Sequence, residues 1–495
     1  MQENTIPYGK HRFWEMIPGI LIWTTFILAV GMSFFAPAIA VVFIIIFDLY
    51  WTLRVLYFLI FVVFAYRTYK KTMLVDWYAK LQKIKNWERV YHIVLLPTYK
   101  EDYQILYDAL VSIRESNYRN DRFIIVMGGE EADEKNFINY AEKLKEEFKG
   151  QFAGFTTTVH PKGLKGEIPG KGSNLKWMEQ ETQKWIDKNK LPYKDLLVTA
   201  FDVDTVAHPQ YFARFSYLFL TVKDGAHASY QPVVLYSNNV WKVQAPIRVS
   251  VFGTTFWLMS ELMRSDRMWT FSSHSMTWQM LVDVGFHEPN LVSEDSRIFL
   301  QGFIRYNGDY RVEPLFLPVY MDAVEGVNYW DSMKALYKQQ RRWAWGVEHL
   351  PYMLERFKGN KDISLWKRMK YVFNQIEGMY TWATAPMLIF LLGYLPFFVL
   401  QDTSTALLAN SPFTLQYMME IATAGVFVSA SLSLWLLPKR PKDRSRWWWL
   451  IMILQWALLP VTFLVFGAFP AIDAQTRMMI GKYLGFNVTE KRKRG

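Results

Sequence analysis

Two aspartates, Asp202 and Asp204, follow a short apolar run in the middle of the chain. The run, residues 196–201, has the length and composition of a strand buried on both faces, as in a parallel sheet. Side chains alternate along a strand, so both carboxylates are expected to point the same way. Ligands of open α/β sheets bind at the carboxyl ends of strands. The pair therefore indicates a divalent cation held beside a phosphate-bearing ligand, although a polar turn after a buried strand is the simpler alternative.

A second acidic group, Ser293-Glu294-Asp295, precedes a helical pattern over Ser296–Leu300. An aspartate at the edge of a ligand site can act as a general base, and this is the hypothesis for Asp295. Serine is also a preferred N-cap residue, and acidic side chains stabilise the first turn of a helix. Catalysis and helix capping therefore both remain open for this triplet.

The segment Gln339-Gln-Arg-Arg-Trp343 brings an amide, a guanidinium and an indole together. On a helix, Gln339, Arg342, Trp343 and Gly346 are spaced i, i+3, i+4 and i+7, which places them on one face. That face can bind a single ligand. Alternatively, the arginine and tryptophan only anchor a helix at a membrane surface.

Two polar loops add binding groups. Pro97-Thr-Tyr-Lys-Glu101 follows an apolar run, and its Tyr99 can stack on a base. Pro169-Gly-Lys-Gly-Ser-Asn174 precedes a helical pattern. Glycines, a lysine and a helix N-terminus suit a diphosphate. An ordinary flexible loop explains either segment equally well.

The elements that must position these residues alternate along the chain. Apolar runs of strand length at residues 92–96, 123–127 and 196–201 are separated by charged helical patterns at 136–148 and 174–188. Such alternation predicts an α/β domain with a mainly parallel sheet, here over residues 93–330. The basic, aromatic residues 68–92 are expected to form an interfacial linker on the membrane, and residues 331–376 to form amphipathic interface helices.

The composition excludes several classes of site and protein. The 495 residues include no cysteine, so disulfides and thiolate metal sites are excluded. The net charge is +11, with basic clusters beside apolar segments, which favours a membrane surface as partner. No nucleic-acid-binding motif is present, so nucleic acid is not an expected partner.

Apolar segments of about 20 residues predict membrane spans near both ends of the chain. Two fall in an N-terminal region, residues 1–67, and two more, 378–400 and 415–437, in a C-terminal region, residues 377–472. The last apolar segment, 447–472, fits one crossing or a bent re-entrant hairpin. The basic residues between 439 and 446, by the positive-inside rule, predict a cytoplasmic central domain in a multi-pass protein of the cell membrane, with a basic cytoplasmic tail at 473–495.

Taken together, the series PTYKE, GKGSN, DVD, SED and QQRRW resembles the membrane-integrated family 2 glycosyltransferases, the group of cellulose, chitin and hyaluronan synthases. The resemblance covers nearly the whole chain. It implies a GT-A-type, Rossmann-like α/β domain in the cytoplasm, inserted between N- and C-terminal transmembrane helices. It also implies an inverting hexosyltransferase that uses a UDP-sugar and Mg²⁺ or Mn²⁺.

The resemblance also implies roles for individual residues. Asp295 is the expected base, with Glu294 beside it, and Asp204 and Asp202 are the expected metal ligands. The expected acceptor contacts are Trp343, His274 and Ser275. The expected contacts to the nucleotide sugar are Pro97, Thr98, Tyr99, Glu101, Glu130, Lys171, Asp202, Gln339 and Arg342.

Three features depart from the family pattern, one of which is the triplet SED in place of the TED typical of cellulose synthases. Lys100 stands where asparagine is usual, and Gly128-Gly-Glu-Glu-Ala-Asp133 replaces a strand end rich in aspartate. The contact to the base is therefore expected from Glu130, Glu131 or Asp133.

Three functions follow as hypotheses. The first is a processive synthase that extends a polysaccharide and exports it through its own spans. The second is an enzyme that transfers a single sugar to a lipid acceptor. The third, a transporter or scaffold with a degenerate domain, is disfavoured because every acidic and QxxRW position is filled. Oligomeric state and secretion partners stay open.

Overall fold

The computed structural model describes residues 8–399 and 406–485 of the chain. Its central feature is an eight-stranded sheet with the strand order β3-β2-β1-β4-β7-β6-β8-β5. The strands are β1 Tyr91–Pro97, β2 Phe123–Glu130, β3 Gly154–His160, β4 Leu196–Ala200, β5 Val206–Ala207, β6 Ala228–Leu235, β7 Ser275–Thr277 and β8 Arg311–Tyr320.

The sheet is mixed but mainly parallel. Strands β3, β2, β1 and β4 are neighbours that pair in parallel, and so do β6 and β8. Short antiparallel strands complete it, with β7 between β4 and β6 and β5 beside β8. The mainly parallel sheet expected from the alternating pattern is confirmed. Because β1, β2 and β4 run the same way, the loops after Pro97, Glu130 and Ala200 emerge at one edge.

The helices surround this sheet and extend beyond it. They are α1 Arg12–Phe35, α2 Pro37–Met73, α3 Trp77–Leu81, α4 Tyr103–Arg114, α5 Glu134–Glu147, α6 Lys171–Lys188, α7 Tyr211–Thr221, α8 Ala245–Leu262, α9 Trp278–Val284, α10 Glu294–Arg305, α11 Tyr329–Ala344, α12 His349–Phe357, α13 Leu365–Phe390, α14 Leu395–Val399, α15 Ala406–Leu436, α16 Trp448–Leu454, α17 Leu459–Phe463 and α18 Phe469–Met479.

The segment after the second apolar helix contacts the α/β domain. Helix α2 continues to Met73, so the first six residues of the expected linker, 68–73, extend the apolar helix. Trp77, Leu81 and Trp87 are buried in the main core with the sheet. Burial of their apolar area connects α2 to the α/β domain.

Among the described residues, four helical segments are long and apolar enough to cross a membrane: Arg12–Phe35, Pro37–Met73, Ala409–Leu436 and Trp448–Met479. Helices α13 and α14 form a further candidate that bends by 46° at its break. Helix α2, with 37 residues, is about 55 Å long and exceeds a hydrocarbon core of about 30 Å. The helix packs against α8 and β8 of the domain.

The last apolar run, Trp448–Met479, comprises α16, α17 and α18. A 3-10 turn, Gln455–Leu458, separates the first two helices, and a π-helical turn, Leu464–Ala468, separates the last two. Its first part lies against the domain. The ring of Trp449 lies 5.9 Å from that of Trp241, and Gln455 accepts a 2.6 Å hydrogen bond from Nε of Arg248 on α8.

The last part of the same run also reaches the domain side. Asp473 accepts a 2.8 Å hydrogen bond from Arg341 on α11, and Arg12, at the start of α1, donates to the carbonyls of Met478 and Met479 at 2.9 and 2.6 Å. Both ends of the run therefore lie on the side of the protein that carries the α/β domain.

Candidate functional site

A cavity of about 1070 Å³ begins at the carboxyl edge of the sheet and continues among the apolar helices. At the sheet, its walls include Thr98, Asp202 and Asp295. Among the apolar helices, they include Ile389 of α13 and Met418 of α15. The polar motifs and the candidate spans therefore share one cavity.

Lys171, the first residue of α6, lies at the centre of the acidic groups. Its Nζ is 2.6 Å from Asp202 Oδ1, 2.8 Å from Asp295 Oδ1 and 3.8 Å from Glu294 Oε1. Burial alone would lower the pKa of this ammonium, but the three carboxylates outweigh it and raise the pKa. The lysine therefore stays charged and holds motifs from distant parts of the sequence together.

The acidic pair on α10 is brought close to this lysine by a glycine. A Cβ on Gly172 would lie 3.1 Å from Cβ of Glu294 and 3.2 Å from the carbonyl oxygen of Glu288, which is tighter than ordinary contacts. The absence of a side chain thus lets α6 approach α10 closely. Burial and the neighbouring Asp295 raise the pKa of Glu294 above its ordinary value. Asp295, whose side chain is 23% exposed, is the more accessible of the two acids.

The geometry of the Asp202-x-Asp204 pair differs from the expectation. Strand β4 ends at Ala200, so both aspartates lie in the turn after it and strand alternation does not orient them. Both still line the cavity. Oδ2 of Asp202 accepts a 2.7 Å hydrogen bond from Ser272, and Oδ2 of buried Asp204 accepts one of 2.9 Å from the Asp322 amide.

The chemistry of this turn fits a hard divalent cation, whose preferred ligands are carboxylate oxygens completed by phosphates and water. Within the described part of the chain, no group of three or more His, Cys, Asp or Glu residues is arranged to hold a metal. Two carboxylates with a ligand phosphate make up the set that Mg²⁺ commonly uses. A cation at Asp202 and Asp204 would thus depend on a bound phosphate for its remaining ligands.

The QxxRW segment contributes the face that its spacing predicted. Gln339, Arg342, Trp343 and Gly346 all line the cavity. The indole of Trp343 lies 6.2 Å from the ring of Tyr236, centroid to centroid. Oε1 of buried Gln339 has no hydrogen-bond partner among the described residues. An amide oxygen, a guanidinium and two aromatic rings thus line this part of the cavity.

The loop after β1 forms another wall of the cavity. Pro97, Thr98, Tyr99 and Glu101 line it. The amide and hydroxyl of Thr98 both donate to the Gly128 carbonyl, at 2.7 and 3.2 Å, which ties this loop to β2.

Lys100, the position that departs from the family pattern, has φ of 65°. Asparagine tolerates this left-handed conformation better than lysine does. The amide of Lys100 donates to Asp133 at 2.9 Å, so Asp133 acts here as a support for the loop.

His160 links two acidic residues at the same end of the cavity. Its Nδ1 and Nε2 each lie 2.9 Å from a carboxylate oxygen, the first of Glu130 and the second of Glu167. Burial alone would lower the pKa of His160, but the two carboxylates outweigh it and raise that pKa. The histidine thus fastens the loop that leads to Lys171 onto the end of β2.

Two residues expected to contact an acceptor are buried and do not line the cavity, although Nδ1 of His274 lies 3.8 Å from Oδ1 of Asp295. His274 is fully buried and its Nδ1 donates to the Phe271 carbonyl at 2.9 Å; burial lowers its pKa to about 4. Ser275 lies inside the sheet, 2.7 Å from the Thr199 hydroxyl. Neither lines the cavity, so the structure does not support them as acceptor contacts. Ser275 begins the short strand β7, which no sequence pattern predicted. The pairing of this strand inside the sheet buries Ser275 and the preceding His274 in the interior.

Several cavity residues were not anticipated from the sequence. Tyr236 follows the apolar strand β6, and Asp322 lies just beyond the end of β8. Both residues could have been predicted as site candidates, because each is a polar residue just after an apolar run of strand length. Ser272, in contrast, lies in a loop without a recognisable pattern.

No protein-family model matches the chain, and no curated protein matches it. Among solved structures, the mannosyltransferase PcManGT from Pyrobaculum calidifontis, in complex with GDP-Man and Mn²⁺, is 14% identical, with a TM-score of 0.37 over 82% of this chain and 99% of its own. S. aureus TarS 1–349 in complex with UDP-GlcNAc is 10% identical, with a TM-score of 0.36 over 79% and 91% of the two chains. Likenesses this distant assign neither a fold family nor an activity.

Proposed function

We propose that the protein is a membrane-integrated inverting glycosyltransferase of the family 2 type, which uses a nucleotide sugar, expected to be a UDP-sugar. The observation that carries the proposal is the bridge from Asp202 through Lys171 to Asp295, in a cavity shared with Arg342 and Trp343. The cavity thus contains cations for a diphosphate (Lys171 and Arg342), an accessible carboxylate (Asp295) and an aromatic face (Trp343). In sugar transfer from a nucleotide donor, cations stabilise the leaving diphosphate, a carboxylate accepts the acceptor proton, and an aromatic face can stack on a sugar ring.

The donor would bind along the edge of the sheet. Its nucleoside would lie against Pro97, Thr98 and Tyr99, with Glu101 and Glu130 at the base. Its diphosphate would lie near Lys171, Gln339 and Arg342, which supply fixed positive charge and an amide. Asp204 and Asp202 would hold Mg²⁺ or Mn²⁺, which when bound acts as a Lewis acid on the leaving diphosphate.

Asp295 would act as the base. It would take the proton from an acceptor hydroxyl as that oxygen bonds to the anomeric carbon. The bond from that carbon to the diphosphate oxygen breaks, and its electron pair leaves with the nucleoside diphosphate, so the configuration inverts. Lys171 and Arg342 would stabilise the charge that grows on the leaving group. Trp343 would stack on the acceptor sugar.

Processive extension with export is the function that the cavity favours. The cavity continues past Trp343 to polar residues of the candidate spans, including Asp48 on α2, Thr381 on α13 and Thr423 on α15. Hydroxyl and carboxylate groups among apolar helices suit a hydrated sugar chain. The alternative, transfer of one sugar to a lipid, is favoured by the apolar lining at Ile389, Phe390 and Met418.

The contacts of the helices support a topology of four crossings, by α1, α2, the bent pair α13–α14, and α15. Both ends of the Trp448–Met479 run contact the domain side, which supports a run that lies along the inner membrane surface rather than a fifth crossing. The domain, the basic segment 439–446 and Lys482 would then all face the cytoplasm, as the positive-inside rule requires.

Membranes that contain the protein, incubated with a panel of nucleotide sugars, test this proposal. We expect one donor to be consumed with release of its nucleoside diphosphate, activity to be lost in excess chelator, and a polymer to accumulate. One sugar per lipid would instead establish the alternative. If no donor is consumed while the protein is folded in the membrane, the proposal is wrong.

A further inference from the structure

A buried carboxylate outside the motifs holds the backbone just before the two acids of α10. Glu348 is 3% exposed, and its Oε1 accepts hydrogen bonds from the amides of Val292 at 3.3 Å and Ser293 at 2.9 Å. Ser293 is the N-cap residue of α10, but its own side chain makes no capping hydrogen bond. The entry to α10 is therefore held from outside by Glu348.

The second carboxylate oxygen of Glu348 also accepts two hydrogen bonds. Oε2 accepts from the Tyr8 hydroxyl and from Nε1 of Trp345, the latter at 3.1 Å. The ring of Tyr8 stacks on that of Tyr483, with centroids 4.7 Å apart and planes 9° apart. A carboxylate has about four acceptor positions, and here four uncharged donors occupy them. These four donors fix its orientation, and among the described residues Glu348 forms no ion pair.

The segment around Glu348 directly continues the QxxRW helix. The turn Trp345–Glu348 follows α11, so Glu348 lies five residues after Trp343. Two more contacts join this turn region to the first turn of α10: Ser296 Oγ lies 2.7 Å from His349 Nε2, and Arg297 donates to the Glu348 carbonyl at 3.4 Å. The acidic pair and the QxxRW face are therefore connected through one small hydrogen-bond network.

We propose that Glu348 is a positioning residue for the transfer step. It fixes the backbone that presents Asp295, relative to the helix that presents Arg342 and Trp343. This rests on the proposed function, in which Asp295 takes the acceptor proton. Glu348 itself does not line the cavity and touches no reacting atom. Its loss should therefore move the base without removing donor contacts, and a misplacement of about 1 Å can cost about 100-fold in rate.

A matched pair of substitutions separates hydrogen bonding from packing. Glu348→Met keeps the length and most of the volume of the side chain but removes both acceptor oxygens. Glu348→Gln keeps one acceptor oxygen for the amides of Val292 and Ser293, and its NH₂ can donate to the Tyr8 hydroxyl oxygen. The measurements are kcat and the donor KM, by release of nucleoside diphosphate, for both variants beside wild type and Asp295→Asn.

We expect Glu348→Met to lower kcat by about 10- to 100-fold while the donor KM changes less than about twofold, and Glu348→Gln to restore most of kcat. Equal kcat in Glu348→Met and wild type would overturn the positioning role, as would equal losses in the Met and Gln variants or a loss confined to KM.

If Glu348→Met does not accumulate in membranes, Tyr8→Phe removes one donor to the same carboxylate. It should lower kcat about threefold, and an unchanged kcat would overturn the proposal. Full activity of Asp295→Asn would instead refute the proposed function itself.

Discussion

The ammonium group of Lys171 lies 2.8 Å from a carboxylate oxygen of Asp295, although 124 residues separate them in the chain. The contact joins the first residue of α6 to the first turn of α10. It places a fixed positive charge beside the proposed base and beside Asp202. Donor binding and proton transfer are therefore expected to depend on the same lysine.

Replacing Lys171 with methionine should lower kcat by about 10²- to 10³-fold, the usual cost of one charged donor to a developing anion. The loss also leaves Asp202, Glu294 and Asp295 without their shared cation, so their mutual repulsion opens the site. Steady-state turnover checks this. Lys176→Met, on the same helix but outside the cavity lining, is the control. Near wild-type turnover of Lys171→Met would show that Lys171 does not contribute to the transfer step.

The donor KM should rise at alkaline pH because of His160. The pKa of His160 is raised in the folded protein, mainly by Glu130 and Glu167 against the opposing effect of burial. Its stabilising contribution is thus fully present below about pH 6.5 and is lost as pH rises through the raised value. Loss of the charge leaves two carboxylates without their bridge and loosens the loop that leads to Lys171.

Donor KM measured from pH 6 to 9 tests this, with His160→Gln as the comparison. The variant should have a high KM at all pH values and lack the inflection. An identical inflection in the variant would assign the pH dependence to another group.

Trp343→Ala should weaken acceptor engagement more than donor binding, because its indole lies on the face that we assign to the sugar chain. In a processive enzyme the product should become shorter, and donor hydrolysis without elongation should increase. Trp343→Phe keeps an aromatic face and is the matched control. Gel sizing of the product measures the effect, and wild-type lengths from Trp343→Ala would contradict the assignment.

The topology predicts which single cysteines react from outside the cell, in a chain that has none of its own. Cysteine at Asn410, near the start of α15, should react with an impermeant reagent in intact cells. Cysteines at Lys145, in the domain, and at Lys482, after α18, should react only after permeabilisation. Labelling of Lys482→Cys from outside would mean that the last apolar run crosses the membrane.

Much of the fold could be predicted from local patterns. The apolar runs at β1, β2 and β4 are nearly continuous because both faces of these strands are buried, and this indicated a parallel sheet. The spacing of Gln339, Arg342 and Trp343 indicated one helix face, and all three line the cavity. In both cases the pattern within a single strand or helix was sufficient to predict the element and the face that it buries or presents.

Long-range contacts were beyond these patterns. The bridge from Lys171 to Asp295 depends on the close approach of two helices at Gly172, which no local pattern encodes. The Asp202-x-Asp204 pair lines the cavity, but β4 ends at Ala200, so the alternation of side chains along a strand does not orient the pair. The burial of Ser275 cannot be predicted from the sequence because the three-residue strand β7 is too short to show periodicity.

The role of Asp295 as the base is tested by transfer in Asp295→Asn. This substitution keeps the size of the side chain and leaves unchanged the main-chain oxygen of residue 295, which accepts a hydrogen bond from Thr270. Donor affinity and turnover should be measured for the variant and for wild type in equivalent membranes. We predict donor affinity within a few-fold of wild type and a loss of transfer of at least about 10²-fold, the lower end of what a general base supplies. Transfer at the wild-type rate by Asp295→Asn would contradict this role.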